Sequence, residues 1–555
     1  MSAASLVLIN GKILTINARF DVAQAVAVSG DRVLALGSDS DIRPLIGEGT
    51  RVVDLDGRTA LPGLIDAHAH LDREGLKEAL PSMAGARSVA DVVDRVSDIA
   101  ARTPRGEWIV TMPLGDPPEF ESSTADFAEG RWPTRHDLDR AAVNHPVYIK
   151  PAWGYWRVAM PSVAIANSRA LALANITRAT QPPSASVTIE RDAQGEPTGV
   201  FLDANRMPVI DFTLMAAAPA FDFATRVRAL PRSMAIYNSL GTTSVYEGHG
   251  AAGDLINAWQ QVVAAGNQTV RASLTFSPAW KTVQPADIAG IVEGWLRWLA
   301  RKGIGDDWLR INGLYTEVDT SLEHTLRKGA FPQTGWAGFN YAGLPREAVK
   351  VLLRECARHG VRVNAILLPG MLEMIAEAAR EFPIGGQRWV LMHVAALDER
   401  EIGLIRDLGA VVTTHTNGYV WKSGADTLKK IGAARANDLV PLRRLIDAGV
   451  PVALGTDNVP VSLWYPVWQA VARFDRTIGA QVGAGQALSR AEALRCATMG
   501  GAWLTFEEND KGSLEPGKLA DIAVLSQDPL TCELEALRHT KAEMTIVGGK
   551  VVYER

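Results

Sequence analysis

From about residue 225 the chain alternates short apolar runs with stretches of helical periodicity. The runs are TTSVYEG (242–248), VRASLTF (270–276), LRINGLYTEVD (309–319), VRVNAILL (361–368), WVLMHVA (389–395), AVVTTHT (410–416) and PVALGTD (451–457). GLIDAHAH at 63–70 adds one more of the same kind. Apolar strands separated by helices are parallel βα units, and eight of them predict an α/β fold, a (β/α)8 TIM-type barrel.

Both chain ends follow a different pattern. Residues 5–60 and 521–554 are short β-rich runs broken by hairpin pairs such as Asn10-Gly11 and Gly548-Gly549. The two ends are expected to pair into one small β-sandwich domain, residues 1–61 with 506–555, around a barrel spanning 62–505. Residues 72–230 are the least regular. They hold helical patches (SVADVVDRVSDIAAR, NSRALALAN) and a hairpin turning at Ala193-Gln194-Gly195, and read as a large insertion after the first barrel strand.

Barrel active sites lie at the C-terminal ends of the strands. Polar residues close several of these apolar runs: His68 and His70 on the first, His393 on the sixth, His415 on the seventh and Asp457 on the eighth. Alternate residues of a strand share a face, so His68 and His70 are expected to point the same way and grip one metal ion. Taken singly, each histidine could be a hydrogen-bonded structural residue and Asp457 a helix cap. Taken together they predict a metal site. Glu247 and His249 on the second strand, with His415, are reserve ligands.

Composition narrows the class. With 47% hydrophobic and 21% charged residues the chain is an ordinary globular protein. A net charge of −5 without a Lys/Arg run suggests neither nucleic acid nor an acidic membrane as partner. Cys356, Cys496 and Cys532 are scattered and odd in number, which fits a reducing compartment. The start lacks the basic segment of a secretory signal and no run reaches membrane-span length, so a cytoplasmic location is expected. The 15 tryptophans include Trp153, Trp156, Trp280, Trp421, Trp464 and Trp468 in segments placed on the mouth side. They favour an apolar or aromatic small molecule as substrate. Lys422 and Arg473 are candidates for meeting a substrate anion.

INGKILT, LPGLIDAHAHL, NSRAL (167–171), GEPTGVFLD (195–203), MHVA (392–395), LGTD (454–457), GSLEPGKLADIAVL (512–525) and IVGGKVVYE (546–554) together resemble the amidohydrolase superfamily over nearly the whole chain. The branch is that of YtcJ-like proteins and N-substituted formamide deformylases. The resemblance implies a metal-dependent barrel hydrolase, with His68, His70 and His393 as ligand positions and Asp457 as the catalytic aspartate. It implies, from the habit of relatives, a homodimer. Three positions depart from the pattern. Tyr315 falls where the branch places a metal-bridging lysine, Asn364 where it places a ligand histidine, and Ser162 at a histidine before the NS dipeptide. A phenol and an amide are poor metal ligands, so one divalent ion is expected, zinc first, with manganese, cobalt or iron as alternatives. It would be held by His68, His70 and Asp457, with His393 and Glu317 as further candidates.

The expected reaction is hydrolysis of an amide or related C–N bond by a metal-activated water. Asp457 would act as base and then acid, and His393 would polarise the carbonyl. Asn364, Tyr315, His415, Trp153 and Trp421 would contact the substrate. The alternatives are a deaminase or carbamate/lactone hydrolase of the same fold, and a metal-poor barrel that binds a small molecule without turnover.

Overall fold

All eight apolar runs form strands of one parallel sheet: β1 (Leu64–Asp66), β2 (Thr242–Ala251), β3 (Arg271–Phe276), β4 (Leu309–Val318), β5 (Val363–Ile366), β6 (Val390–Met392), β7 (Val411–Thr414) and β8 (Val452–Leu454). Strand neighbours follow chain order from β1 to β8. The ring closes where the Ala67 N–H donates to Leu454 O at 3.1 Å and the Asp457 N–H to His68 O at 2.8 Å. The structure, a computed structural model, describes residues 4–280, 283–330 and 335–555.

Local sequence explains the helices between strands. Glu399–Leu408 starts at Asp398, whose side chain accepts from the Glu401 N–H while Glu401 caps Asp398 in return. It ends at Gly409, whose left-handed backbone (φ 64°) releases the chain into β7. Ile402, Ile405 and Leu408 recur at helical spacing, are buried, and join the barrel core.

The two ends of the chain meet in one sheet. Ile522–Leu525 runs antiparallel to Thr59–Pro62, inside a six-stranded sheet that also holds Lys12–Leu14, Val22–Ala23, Ala542–Val547 and Lys550–Glu554. A four-stranded sheet (Leu6–Ile9, Ala25–Ser29, Arg32–Gly37, Arg51–Asp54) faces it across a core with Leu8, Ile13, Val26, Ile522 and Ile546.

The segment after β1 carries more order than its sequence pattern suggests. Five strands, Ile109–Thr111, Val147–Ile149, Ser162–Ala166, Val187–Arg191 and Pro197–Asp203, form a separate sheet with apolar clusters of their own. The last two are the hairpin read around Gly195. The others are too short for an alternation to stand out. Helix Phe223–Ser239 then returns to the barrel and leads into β2. Among the described residues no helix is long and apolar enough to cross a membrane.

Candidate metal centre

β1 stops at Asp66, earlier than the alternation implies, so His68 and His70 sit in the turn that leads to helix Leu71–Leu76. Asp66 causes the stop. Its carboxylate accepts the His68 N–H (3.1 Å), the Thr456 N–H (2.9 Å) and the Thr456 hydroxyl (2.6 Å), which turns the chain toward β8. The imidazoles therefore stand nearly at right angles (88°) rather than in parallel, yet both approach one carboxylate. His70 Nε2 is 3.0 Å and His68 Nε2 3.9 Å from Asp457 Oδ1.

Three more histidines close on the same point. His249, near the end of β2, places Nδ1 3.0 Å from His70 Nε2 and Nε2 3.1 Å from His393 Nε2. His393 Nδ1 is in turn 3.1 Å from His415 Nε2 and 2.8 Å from the Tyr419 hydroxyl. His415 Nε2 lies 3.5 Å from Asp457 Oδ2. Two sets emerge: His68, His70, His249 and Asp457, and His393, His415 and Asp457, each with ligand atoms within 4.8 Å of one another.

The electrostatics suit a cation. Burial holds all five imidazoles below their ordinary value, His70 and His415 at about 3, so their lone pairs are free at neutral pH. Burial pushes the Asp457 carboxyl up, but His415, His70 and His393 outweigh it and hold it well below the usual carboxylate range. Among the described residues, both ring nitrogens of His68 are buried without a hydrogen-bond partner. Buried polar groups are ordinarily paired, so an unpaired imidazole facing three other donors fits a metal ligand. Imidazole nitrogens with one carboxylate oxygen are a zinc-type set.

The surrounding frame is strained and tightly held. His393, Asp457 and Asn458 adopt left-handed backbone (φ 58°, 52° and 56°), uncommon for such residues and concentrated at functional sites. Asn458 accepts from the His70 N–H and the Tyr237 hydroxyl and donates to His70 O and Glu74 Oε1. Glu247 accepts from the Leu71 N–H and sits 3.6 Å from His70 Nδ1, where it orients the ring. Gly455 passes so close to His68 that a Cβ there would meet His68 Cβ at 2.4 Å.

Of the residues singled out in the sequence, His70, His249, His393, Asp457, Tyr315, Glu317 and Trp153 line a cavity of about 360 Å³ at the mouth of the barrel. Glu317 accepts from the Tyr315 hydroxyl and stays outside both ligand sets among the described residues. Asn364 is elsewhere: its amide bonds Tyr246 and Thr275 inside the barrel. Trp421 packs on Tyr465 beneath Arg476. Trp156, Trp464 and Trp468 are fully buried packing residues. Lys422 donates to the carbonyls of Tyr155 and Trp156, and Arg473 to those of Leu439, Val440 and Val482. Tyr419, Arg73, Arg327 and Phe339, none of them a candidate from sequence, also line the cavity. Arg73 stands three residues past His70, a proximity that offered a signal; Arg327 and Phe339 offered none.

Known proteins resemble the chain in sequence and in fold. N-substituted formamide deformylase of Arthrobacter pascens is 27% identical, with 99% of this chain and 98% of that protein aligned. Putative amidohydrolase YtcJ of Bacillus subtilis (strain 168) is 24% identical over 98% of each. Among solved structures, an uncharacterized metal-dependent hydrolase from Pyrococcus horikoshii OT3 shares the fold (TM-score 0.67, 20% identity, covering 96% of this chain and 99% of that one). So does atrazine chlorohydrolase TrzN from Arthrobacter aurescens TC1, determined with zinc (TM-score 0.51, 17% identity, 99% and 95% covered). Residues 51–553 match the amidohydrolase family, and the chain belongs to it.

Proposed function

We propose that the protein is a metal-dependent hydrolase of amide or related C–N bonds in a small aromatic N-substituted compound. The observation that carries this is the convergence of His68, His70, His249 and Asp457 at the strand ends, with both nitrogens of His68 unpartnered. Catalytic zinc sites keep three protein ligands and one open position. His68, His70 and His249 would hold the ion, and Asp457, beside them, would remain available for proton transfer. The histidine of β2 thereby takes the place left vacant by Asn364 of β5. Zinc is the first candidate for this N/O set, with manganese, cobalt and iron following.

A divalent ion held by these residues would supply an acidified water, its pKa brought from about 15.7 toward about 7. Asp457 accepts the proton of the attacking water and later delivers it to the departing nitrogen, so that one C–O bond forms as the C–N bond breaks. Tyr419 is half-buried and its hydroxyl stays protonated well above the ordinary range, since desolvation and the Asp457 charge disfavour the phenolate. With His393 at 2.8 Å it donates to the carbonyl oxygen as negative charge develops there. Trp153, Phe339, Tyr341 and Leu368 form the apolar wall against which the aromatic part of the substrate rests.

The test is elemental analysis of the purified protein, followed by turnover of a panel of N-substituted formamides before and after chelation. About one ion per chain, with activity lost on chelation and restored by zinc, is the expected result. A metal-free protein that gains no activity from added Zn²⁺, Mn²⁺ or Co²⁺ would refute the reading. The convergence of His393, His415 and Asp457 favours a second reading with two ions sharing Asp457, which the same stoichiometry separates from the first.

A further inference from the structure

Two arginines in the cavity wall form no ion pair within 4.0 Å among the described residues, although Asp72, Asp457 and Glu247 act on Arg73 and Glu317 on Arg327 from further away. Arg73, on helix Leu71–Leu76, is 1% exposed, and Arg327, on helix Leu322–Gly329, is 7% exposed. Among the described residues, Arg73 Nε and Arg327 Nε and Nη2 are buried without a hydrogen-bond partner, and Arg327 Nη1 meets only the Met207 sulfur, a weak acceptor, at 3.5 Å. Other buried arginines are engaged: Arg226 with Asp72 and Gly335 O, Arg271 with Asp521 and Asp307, Arg362 and Arg473 with backbone carbonyls. A guanidinium keeps its proton even when buried, and a buried cation without an anion is costly.

The two groups are arranged as a pair. The Arg73 guanidinium carbon lies 4.5 Å from the Trp153 ring centre and 5.6 Å from that of Phe339. The corresponding Arg327 carbon lies 4.8 Å from Phe339 and 5.5 Å from Trp153. Stacking engages the guanidinium faces and leaves the N–H edges free. The same Phe339 ring stacks on His70 and His249, at 5.6 and 5.1 Å between centroids. The arginine pair and the metal centre are thus separated by a single ring, within the span of one small molecule. Glu317, the carboxyl that acts most strongly on Arg327, is pushed up to about 8 by burial, so at neutral pH it is largely protonated and offsets the Arg327 charge only in part.

We propose that the substrate carries a carboxylate, bound by the N–H edges of Arg73 and Arg327, on the side of Phe339 away from the scissile C–N bond. This makes the substrate an N-acylated aromatic amino acid or a similar amido acid, and it rests on the hydrolase reading above. A carboxylate is planar and presents two oxygens, which matches the guanidinium fork.

The experiment compares 3-phenylpropionate with its uncharged isostere 3-phenylpropanamide by calorimetry on the metal-loaded protein. The acid is expected to bind at least tenfold more tightly, and Arg73→Gln and Arg327→Gln, each with metal content and melting temperature verified, to remove that preference. Arg327→Lys is expected to keep part of it. Equal binding of acid and amide, an acid preference that survives both Gln variants, or tighter binding of phenylphosphonate than of the acid would overturn the carboxylate site. Turnover of N-formylphenylalanine and N-formylphenethylamine is measured in parallel. No turnover of either, with the acid preference intact, retains the anion site and refutes the hydrolase. Equal kcat/KM for both, unchanged in the Gln variants, retains the hydrolase and refutes the anion site.

Discussion

Thr456 donates its hydroxyl proton to Asp66 at 2.6 Å, and this bond ties the first barrel strand to the last immediately beside the metal centre. The same carboxylate takes the Thr456 and His68 N–H groups, so one buried side chain positions His68 on one side and Asp457 on the other. Asp66→Ala leaves these donors unsatisfied in the interior, at about 1–3 kcal/mol for each buried group. The variant should unfold at lower urea and retain less metal than the parent in elemental analysis.

His249 decides between the ligand set that strand spacing suggests and the one that the geometry supports. His249→Ala should weaken metal binding by at least the ~10–100-fold seen when mere outer-shell partners are lost. The effect is read by competition with a fluorescent chelator. Asn364→Ala should leave metal affinity unchanged, because the Asn364 amide bonds Tyr246 and Thr275 instead.

Asp457→Asn keeps the shape but removes the base. Turnover should fall by about 10²–10⁴-fold, the usual contribution of a positioned acid–base group, with the circular dichroism spectrum retained. Activity within a few-fold of the parent would exclude Asp457 as the proton carrier.

Gly455→Ala tests how closely the cradle fits. Its Cβ would meet the His68 backbone nitrogen at 2.6 Å, which cannot rotate away. Overpacking of this kind costs about 1–3 kcal/mol. The melting temperature and the metal content should therefore fall together.

Glu317 gives a pH dependence with a definite sign. Its folded value of about 8, raised by burial, means that it is protonated below that pH and ionised above it. Ionised, it pairs with Arg327, so KM for a carboxylate substrate should rise as pH passes through 8, and Glu317→Gln should abolish the rise. The same shift makes the folded state bind the proton more tightly than the unfolded chain. Its contribution to stability is therefore present at low pH and lost as pH climbs from the ordinary carboxyl range toward 8.

What the sequence determined by itself was set by short-range pattern. Apolar runs of strand length with helical stretches between them specified eight parallel strands, whereas which strands of the two β-rich ends lie side by side, Thr59–Pro62 beside Ile522–Leu525, is read from the structure. A polar residue terminating an apolar strand marks the barrel mouth, so His68, His70, His393, His415 and Asp457 were legible before any contact was known. Tertiary structure decided depth and partnership. Periodicity gives the face on which a side chain lies, but not how far along the barrel axis it falls. β2 runs on to Ala251 through a register shift and carries His249 to the centre, while Asn364 of β5 ends among Tyr246 and Thr275. Whether a charge is compensated depends on every group within a few ångströms, and these come from distant parts of the chain. That is why Arg473, which sequence marked as a candidate for an anion, is bound to carbonyls, while Arg73 and Arg327 face the cavity with free N–H groups.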